Sequence, residues 1–276
     1  MSRGAESLLP DRWHQGWSDH ARHLRRARRK PAPGEIHALR VNARRLLAQL
    51  DVLRRAAPGR RRVQRLRRRL RRLLRITGPA RDAWLQRRLL PARGDRPDPG
   101  WHHLSRYFER RYRRRRKRLA TALARHPARP RIPRFPLRRP APAGTLAAAR
   151  AAAERRVLDR LPAAARMTPA ANHRLRVAFK KLRYQLELHP PGRGAPEIAV
   201  LQRAQSALGD LHDFDVWLAT LRRRARRHRP AARWLRSHAR DLAARRRALA
   251  SVAAALTRRH ARRVPRPAPA RGETLP

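Results

Sequence analysis

The chemistry this chain can offer lies in a polar pattern that occurs twice. Ile36-His37-Ala38-Leu39-Arg40-Val41-Asn42-Ala43-Arg44-Arg45-Leu46 aligns without a gap on Asn172-His173-Arg174-Leu175-Arg176-Val177-Ala178-Phe179-Lys180-Lys181-Leu182, 136 positions later. The histidine, the arginine three residues on and the basic pair four residues after that all match. So do the apolar positions Leu39/Leu175, Val41/Val177 and Leu46/Leu182. On a helix turning ~100° per residue, His37, Arg40 and Arg44 fall in a sector roughly 60° wide, with Arg45 to one side. His173, Arg176 and Lys180 repeat that geometry, flanked by Lys181. Arg22, Arg25, Arg26 and Arg29 upstream show the same mixed three- and four-residue spacing and extend the candidate set.

Strips of this kind suit a run of phosphates. Arginine gives planar, bidentate hydrogen bonds to phosphoryl oxygens, and lysine acts as a mobile point charge. A neutral histidine donates one hydrogen bond, and its pKa rises beside a bound polyanion. One strip alone reads equally well as a solvated helix face. Two in register point to a common site.

Metal and catalytic chemistry find little footing. Neither His37 nor His173 has a His, Asp or Glu at i+3 or i+4, where Arg40, Val41, Arg176 and Val177 stand instead. His20 and His23 sit at i, i+3, and His102-His103 are adjacent, but all lie among arginines, a poor setting for a divalent cation. No metal or other cofactor is expected. There is no Walker loop or GxGxxG, no recognisable serine nucleophile, and paired carboxylates are scarce. Binding without turnover is the expectation.

The bulk composition agrees. The 276 residues carry 73 Lys and Arg against 18 Asp and Glu, a formal net charge of +55. Self-repulsion of that size is tolerable only with anions on the surface or in a cleft, whether nucleic acid, phospholipid headgroups or an inorganic polyanion. The wealth of Arg, Ala and Pro is also what GC-rich coding imposes on any basic protein. Against that background the adjacent Lys180 and Lys181 stand out. The chain has no cysteine, no run of ~20 apolar residues to span a membrane, and no apolar signal-peptide core in its first 30 residues. A soluble cytoplasmic protein is expected.

Apolar residues recur at helical spacing almost throughout, and no stretch alternates with period two, so the chain reads as all-α. Ile36, Leu39, Ala43, Leu46, Leu50 and Leu53 form one stripe; Val63, Leu66, Leu70, Leu73 and Leu74 form another. Breaks are expected at Pro31–Gly34, Pro58-Gly59, Gly78-Pro79 and Pro97–Gly100. The proline-dense stretch 126–144 reads as a linker between halves of about 8–125 and 145–261, and 262–276 as a disordered tail. A second repeat, Gly78-Pro79-Ala80-Arg81-Asp82 against Gly209-Asp210-Leu211-His212-Asp213, suggests glycines that end helices and aspartates that cap the next. Either aspartate also has the chemistry to hold a nearby arginine in place.

These segments resemble the CHAD family, the conserved histidine α-helical domain. The likeness rests on IHALRVNARRL at Ile36–Leu46, GPARD at Gly78–Asp82, HRLRVAFKKLRYQLE at His173–Glu187 and LGDLHDFD at Leu208–Asp215, and runs from about Leu8 to Ala261. It implies two pseudo-symmetric four-helix bundles facing each other across a basic central cavity that binds inorganic polyphosphate, with recruitment to polyphosphate granules. Carried over, the binding set is His37, Arg40, Arg44 and Arg45 from one half, and His173, Arg176, Lys180, Lys181 and Arg183 from the other. Two departures from the pattern or between the halves are visible. Ala38 and Arg174 stand where the family has an acidic residue, and Leu47 stands opposite Arg183, so unequal halves are expected. No CYTH-like segment precedes Leu8, which reads as a stand-alone module. The alternative is a basic helical protein that binds nucleic acid non-specifically at low salt. Aromatics make up only 5% of residues, too few for a stacking platform, and Tyr107 and Tyr112 beside Arg110–Arg118 are the best candidates.

Overall fold

The structure, a computed structural model, describes residues 8–57, 59–91, 98–126, 131–137, 141–142, 144–164, 168–189 and 195–261. Among them the only regular secondary structure is helix: α1 (Leu9–Arg29), α2 (Pro33–Ala56), α3 (Arg61–Leu89), α4 (Pro99–Ala124), α5 (Thr145–Leu158), α6 (Leu161–Ala164), α7 (Pro169–Leu186), α8 (Ala195–Ala225), α9 (Arg229–Ser237) and α10 (Ala239–Ala261). No helix among the described residues is long and apolar enough to cross a membrane. The tail at 262–276 lies outside the described residues.

Local chemistry accounts for several of the helix starts. Pro33, Pro99 and Pro169 open α2, α4 and α7, where a missing N–H costs nothing because the first turn has no acceptor for it. Asp98 caps α4 by accepting from Gly100 N at 2.7 Å and Trp101 N at 3.1 Å. Gly59, between α2 and α3, has φ 85°, a left-handed conformation that favours glycine.

The α2 stripe is buried along its whole length, against Trp13, Trp17 and Leu24 of α1, the Val63–Leu73 stripe of α3, and Leu119 and Leu123 of α4. Leu175, Phe179 and Leu182 of α7 make a second core with Val157 of α5, Leu201 and Leu208 of α8, and Ala253 of α10. Two apolar seams join these helix groups. On one side Leu104 and Phe108 of α4 pack with Phe214 and Trp217 of α8 and Trp234 of α9. On the other, Leu9 and Val52 pack with Leu146, Ala149, Tyr184 and Leu188. Arg12 fastens the second seam by donating to the carbonyls of Glu187 and His189 at 2.7 and 2.9 Å.

Two expectations about chain breaks are corrected. α3 runs straight through Gly78-Pro79, and α8 straight through Gly209. Both helices carry long buried stripes, and that packing outweighs a local breaker worth ~1 kcal/mol for glycine and ~3 for proline. Pro79 and Arg75 are both exposed, so the Arg75 carbonyl that loses its N–H partner is on the solvent side of the helix. Asp82 and Asp213 are therefore mid-helix residues, not caps.

The proline-dense stretch is non-helical where described, at 131–137 and 141–142, yet it is packed against the first helix group. Trp13 Nε1 donates to the Pro133 carbonyl at 2.7 Å, Phe135 meets the Trp13 ring edge-on at 5.9 Å, and Ala141 is buried in the second seam. It is a strap across the helices as well as a connection between them.

Gly100 tests the α4–α9 contact. A Cβ there would lie 2.5 Å from the Pro230 carbonyl oxygen and 2.6 Å from Trp234 Cβ, neither of which can swing aside. Gly100→Ala is expected to cost about 1–3 kcal/mol in chemical denaturation. Gly34→Ala, with nothing within 4 Å of its Cβ, should stay within about 0.5 kcal/mol of wild type.

Candidate anion-binding cavity

The polar faces of α2, α3, α5, α7 and α8 turn toward one another and enclose a cavity of about 740 Å³. Eleven arginines and lysines line it against three aspartates, together with His37, His173 and His212. The two repeated strips face each other here. His37, Arg40 and Arg44 come from α2; His173, Arg176, Lys180 and Lys181 come from α7.

The α2 strip is held from behind by neutral groups. Arg40 reaches α3, where its Nη1 donates to Leu74 O and Thr77 Oγ1, both at 2.7 Å; the buried Thr77 hydroxyl in turn donates to Leu73 O at 2.8 Å. Neither glycine of the second repeat ends a helix. A Cβ at Gly209 would stand 3.3 Å from Arg176 Nε, so this guanidinium lies close against the α8 backbone, whereas a Cβ at Gly78 would stand 3.7 Å from Arg40 Nη1, an ordinary contact. Asp213 Oδ1 stands 3.9 Å from Arg176 Nη2, which realises the arginine-holding role open to that aspartate. Arg44 hydrogen-bonds the buried Tyr184 side chain across the α2–α7 interface.

Five of the expected residues lie elsewhere. Arg45 and Arg183 both turn to Glu187 at the end of α7, at 2.8 and 3.6 Å, and act as seam ion pairs outside the cavity. The side position of Arg45 on the wheel, read as flanking the strip, is what carries it out. Arg22, Arg25 and Arg26 are exposed on α1, which contributes nothing to the cavity wall because its other face packs on α2; Arg22 pairs with Asp19 at 2.6 Å. Leu47 lines the cavity whereas Arg183, its counterpart in the repeat, does not.

The cavity also holds residues that sequence reasoning did not select: Arg54, Arg55, Arg67, Arg71, Arg81, Arg156 and His212. Some were within reach. Arg54 and Arg55 prolong the His37–Arg44 stripe along α2, and Arg81 and His212 sit inside the second repeat. Arg67 and Arg71 carried no signal, because arginine fills nearly every non-apolar position of α3, and Arg156 of α5 lies outside both repeats. Arg67 is neutralised by Asp51 at 2.7 Å. His20, one of the possible metal residues, is buried and bonded through Nδ1 to Asn42 Oδ1 at 3.1 Å. Among the described residues no three His, Asp or Glu side chains cluster as metal ligands.

Burial and like charge together set the protonation of this cavity. Loss of solvent, then the fields of Arg176 and Arg44, lower Lys180 to about 6, only partly opposed by Asp213. Burial first, then Arg176 and His173, bring His212 to about 4. His37 and His173 are pushed down by burial and by the cations beside them. Arg40 falls to about 10 through burial and Arg44, and stays charged at neutral pH. Burial raises the Asp82 carboxyl, against the pull of Arg40. At pH 7 the arginines therefore supply fixed positive charge, while Lys180 and the three histidines are largely neutral.

A family model for the CHAD domain matches residues 14–222. The chain belongs to the CHAD domain family. Its fold matches the crystal structure of the CHAD domain from the plant Ricinus communis with a TM-score of 0.70, at 22% sequence identity over 92% of this chain and 91% of the other. A comparison with curated proteins gave no match. At that identity the plant structure speaks to the fold alone, and the cavity chemistry of this CHAD domain rests on its own residues.

The lowered Lys180 leads to a stability prediction. Between pH 6 and 10.5 the unfolded chain holds a proton at Lys180 that the folded protein releases, so this group destabilises the fold and the effect eases as pH rises. Lys180→Met is expected to raise the Tm of the ligand-free protein by several degrees at pH 7, ~1 kcal/mol being worth about 2–4 °C in a domain of this size. The gain should vanish above pH 10.5, as scanning calorimetry across that range will read.

Proposed function

We propose that this CHAD domain binds inorganic polyphosphate in the central cavity without turning it over, and that binding recruits the protein to polyphosphate granules in the cytoplasm. The observation that carries the reading is the opposition of two His/Arg/Lys strips across one cavity whose wall holds eleven arginines and lysines and three aspartates. CHAD domains are associated with polyphosphate binding in general and are not known as a catalytic family. A linear anion lying between α2 and α7 meets cations on both sides at short intervals, and the arginines can fork onto its oxygens. Turnover would need a nucleophile or a metal-held water. The cavity offers arginines, neutral histidines and the raised Asp82 carboxyl, a set suited to holding phosphate.

The nucleic-acid alternative loses its best aromatic candidates. Tyr112 is buried, and Tyr107 is covered by the Arg224 guanidinium 4.7 Å from its ring centre. Tyr112 offers no exposed ring and one face of Tyr107 is already occupied, so DNA and RNA are left mainly with backbone contacts that fade with salt.

Calorimetric titration of long-chain polyphosphate at near-physiological salt tests the site. His37→Ala/Arg40→Ala/Lys180→Ala/Lys181→Ala removes three of 73 cations and one histidine, which leaves the bulk charge nearly intact. The expected loss is more than ~10-fold in affinity, or 1.4 kcal/mol. Unchanged affinity would assign binding to the surface charge at large, as would DNA in charge excess displacing the polyphosphate.

The protonation of the empty cavity gives an independent readout. A polyanion raises the pKa of Lys180 and of the histidines beside it, so binding near pH 7.5 takes up on the order of one proton. Titrations in buffers of different ionisation enthalpy should give heats that vary with the buffer, and affinity should rise as pH falls from 9 to 6. Buffer-independent heats would place the anion away from Lys180.

A further inference from the structure

A second recess, of about 320 Å³, opens between α4 and the C-terminal part of α8. Tyr107 and Arg111 line it from α4, Thr220, Arg223 and Arg224 from α8, and Arg226 and Arg227 from the turn that follows α8. We infer that this recess is a second seat for a phosphoryl-group anion, separate from the central cavity.

Its arginines are ordered by neutral partners. Arg224 Nε donates to His103 Nε2 at 3.0 Å, and the guanidinium lies over the Tyr107 ring. Because His103 accepts at Nε2, its proton sits on Nδ1 and the imidazole is neutral, in keeping with a pKa lowered by burial and by Arg224. Arg111 Nη1 donates to the Tyr107 hydroxyl at 3.3 Å, and Arg223 Nη2 donates to Thr220 Oγ1 at 3.3 Å. No carboxylate lines the recess, and among the described residues none of its arginines has an ion-pair partner. The nearest acid on α4, Glu109, is taken by Arg87 and Arg113, at 2.7 and 2.6 Å.

That pattern is what an anion seat requires and what an ordinary basic surface lacks. Arginines on a solvated face splay apart to reduce repulsion; here Arg224 is held across the α4–α8 groove by His103 and the Tyr107 ring, and Arg111 and Arg223 are each steadied by a hydroxyl on their own helix. Their remaining N–H donors have no protein acceptor of opposite charge, and a phosphoryl group supplies both the charge and the oxygens. The recess also lies on the course of the cavity wall. Val216 is the last α8 residue to line the cavity, and Arg223 follows two turns later, about 10 Å along the same helix. The phosphoryl group can thus belong to a separate short anion or to the protruding end of a chain held in the cavity. The second source rests on the proposed polyphosphate function; the first does not.

Tripolyphosphate titrated into the full chain is expected to fill two seats. In Arg224→Ala/Arg227→Ala the stoichiometry should fall from two to one. Since Arg224 also packs on Tyr107, Arg223→Ala/Arg227→Ala, which changes only exposed arginines, carries the same test should the first variant fail to fold; it should weaken the second seat at least 10-fold. A single seat in the wild type, or two undiminished seats in both variants, overturns the inference. Arg40→Ala/Lys180→Ala should abolish the other seat and spare this one, so failure of the cavity reading shows up separately. Long-chain polyphosphate then distinguishes the sources. Weakening of at least 10-fold in the recess variants, relative to the charge-matched Arg25→Ala/Arg26→Ala, means that one chain spans both seats. Unchanged long-chain affinity with the tripolyphosphate seat lost means that a separate short anion occupies it.

Discussion

Mutual repulsion within one partly desolvated cavity is the force that the rest of this protein is arranged to withstand. Two like charges 4 Å apart at an effective permittivity of ~20 repel by about 4 kcal/mol, and eleven basic side chains share the wall. Three aspartates inside the cavity offset only part of that sum. The opposing term comes from the far side of the same helices, where four apolar clusters bury tryptophans, phenylalanines and many leucines. Each such side chain contributes about 1.5–3 kcal/mol on burial. The helices are thus amphipathic in a demanding sense, with one face driving assembly and the other resisting it.

The few carboxylates are placed where they relieve this strain without filling the cavity. Glu187 holds Arg45 and Arg183 at the α2–α7 seam, Glu109 holds Arg87 between α3 and α4, Glu197 reaches Arg150 from α8, and Asp215 holds Arg246 of α10 at 2.7 Å. Within the cavity, positioning falls mainly to neutral groups such as Thr77, the Leu74 carbonyl and Tyr184. A neutral acceptor orients a guanidinium without cancelling the charge an anion would meet.

Arginine and lysine behave differently under the same crowding. Arg40, brought to about 10, stays a cation, whereas Lys180, brought to about 6, gives up its proton near neutrality. The intrinsic basicity of the guanidinium absorbs a shift that the ammonium cannot. The cavity therefore combines permanent charge, which attracts an anion, with charge that appears only when an anion arrives. That arrangement lowers the repulsion of the empty state.

Helix content, the α2 and α3 core stripes and the two polar strips were legible in the residues, because each depends on periodicity within a single helix. Opposite-facing strips could be read as sharing a site from their duplication, and the family signature added the facing geometry as an expectation. What the sequence could not rank was arginine against arginine. With 73 basic residues spread over nearly every polar position, Arg45, Arg183 and the α1 arginines look like Arg40 or Arg44 until the neighbouring helices are in place. Gly78-Pro79 and Gly209 were misread for a related reason: local propensity argues for a break, and only the docked helices show both helices running on and the Arg176 guanidinium packed on Gly209. The sequence by itself determined the helices, their buried faces and the sign of the charge, all set within a few turns of chain. Which cations meet across empty space depends on how separate helices dock, and that only the tertiary structure decided.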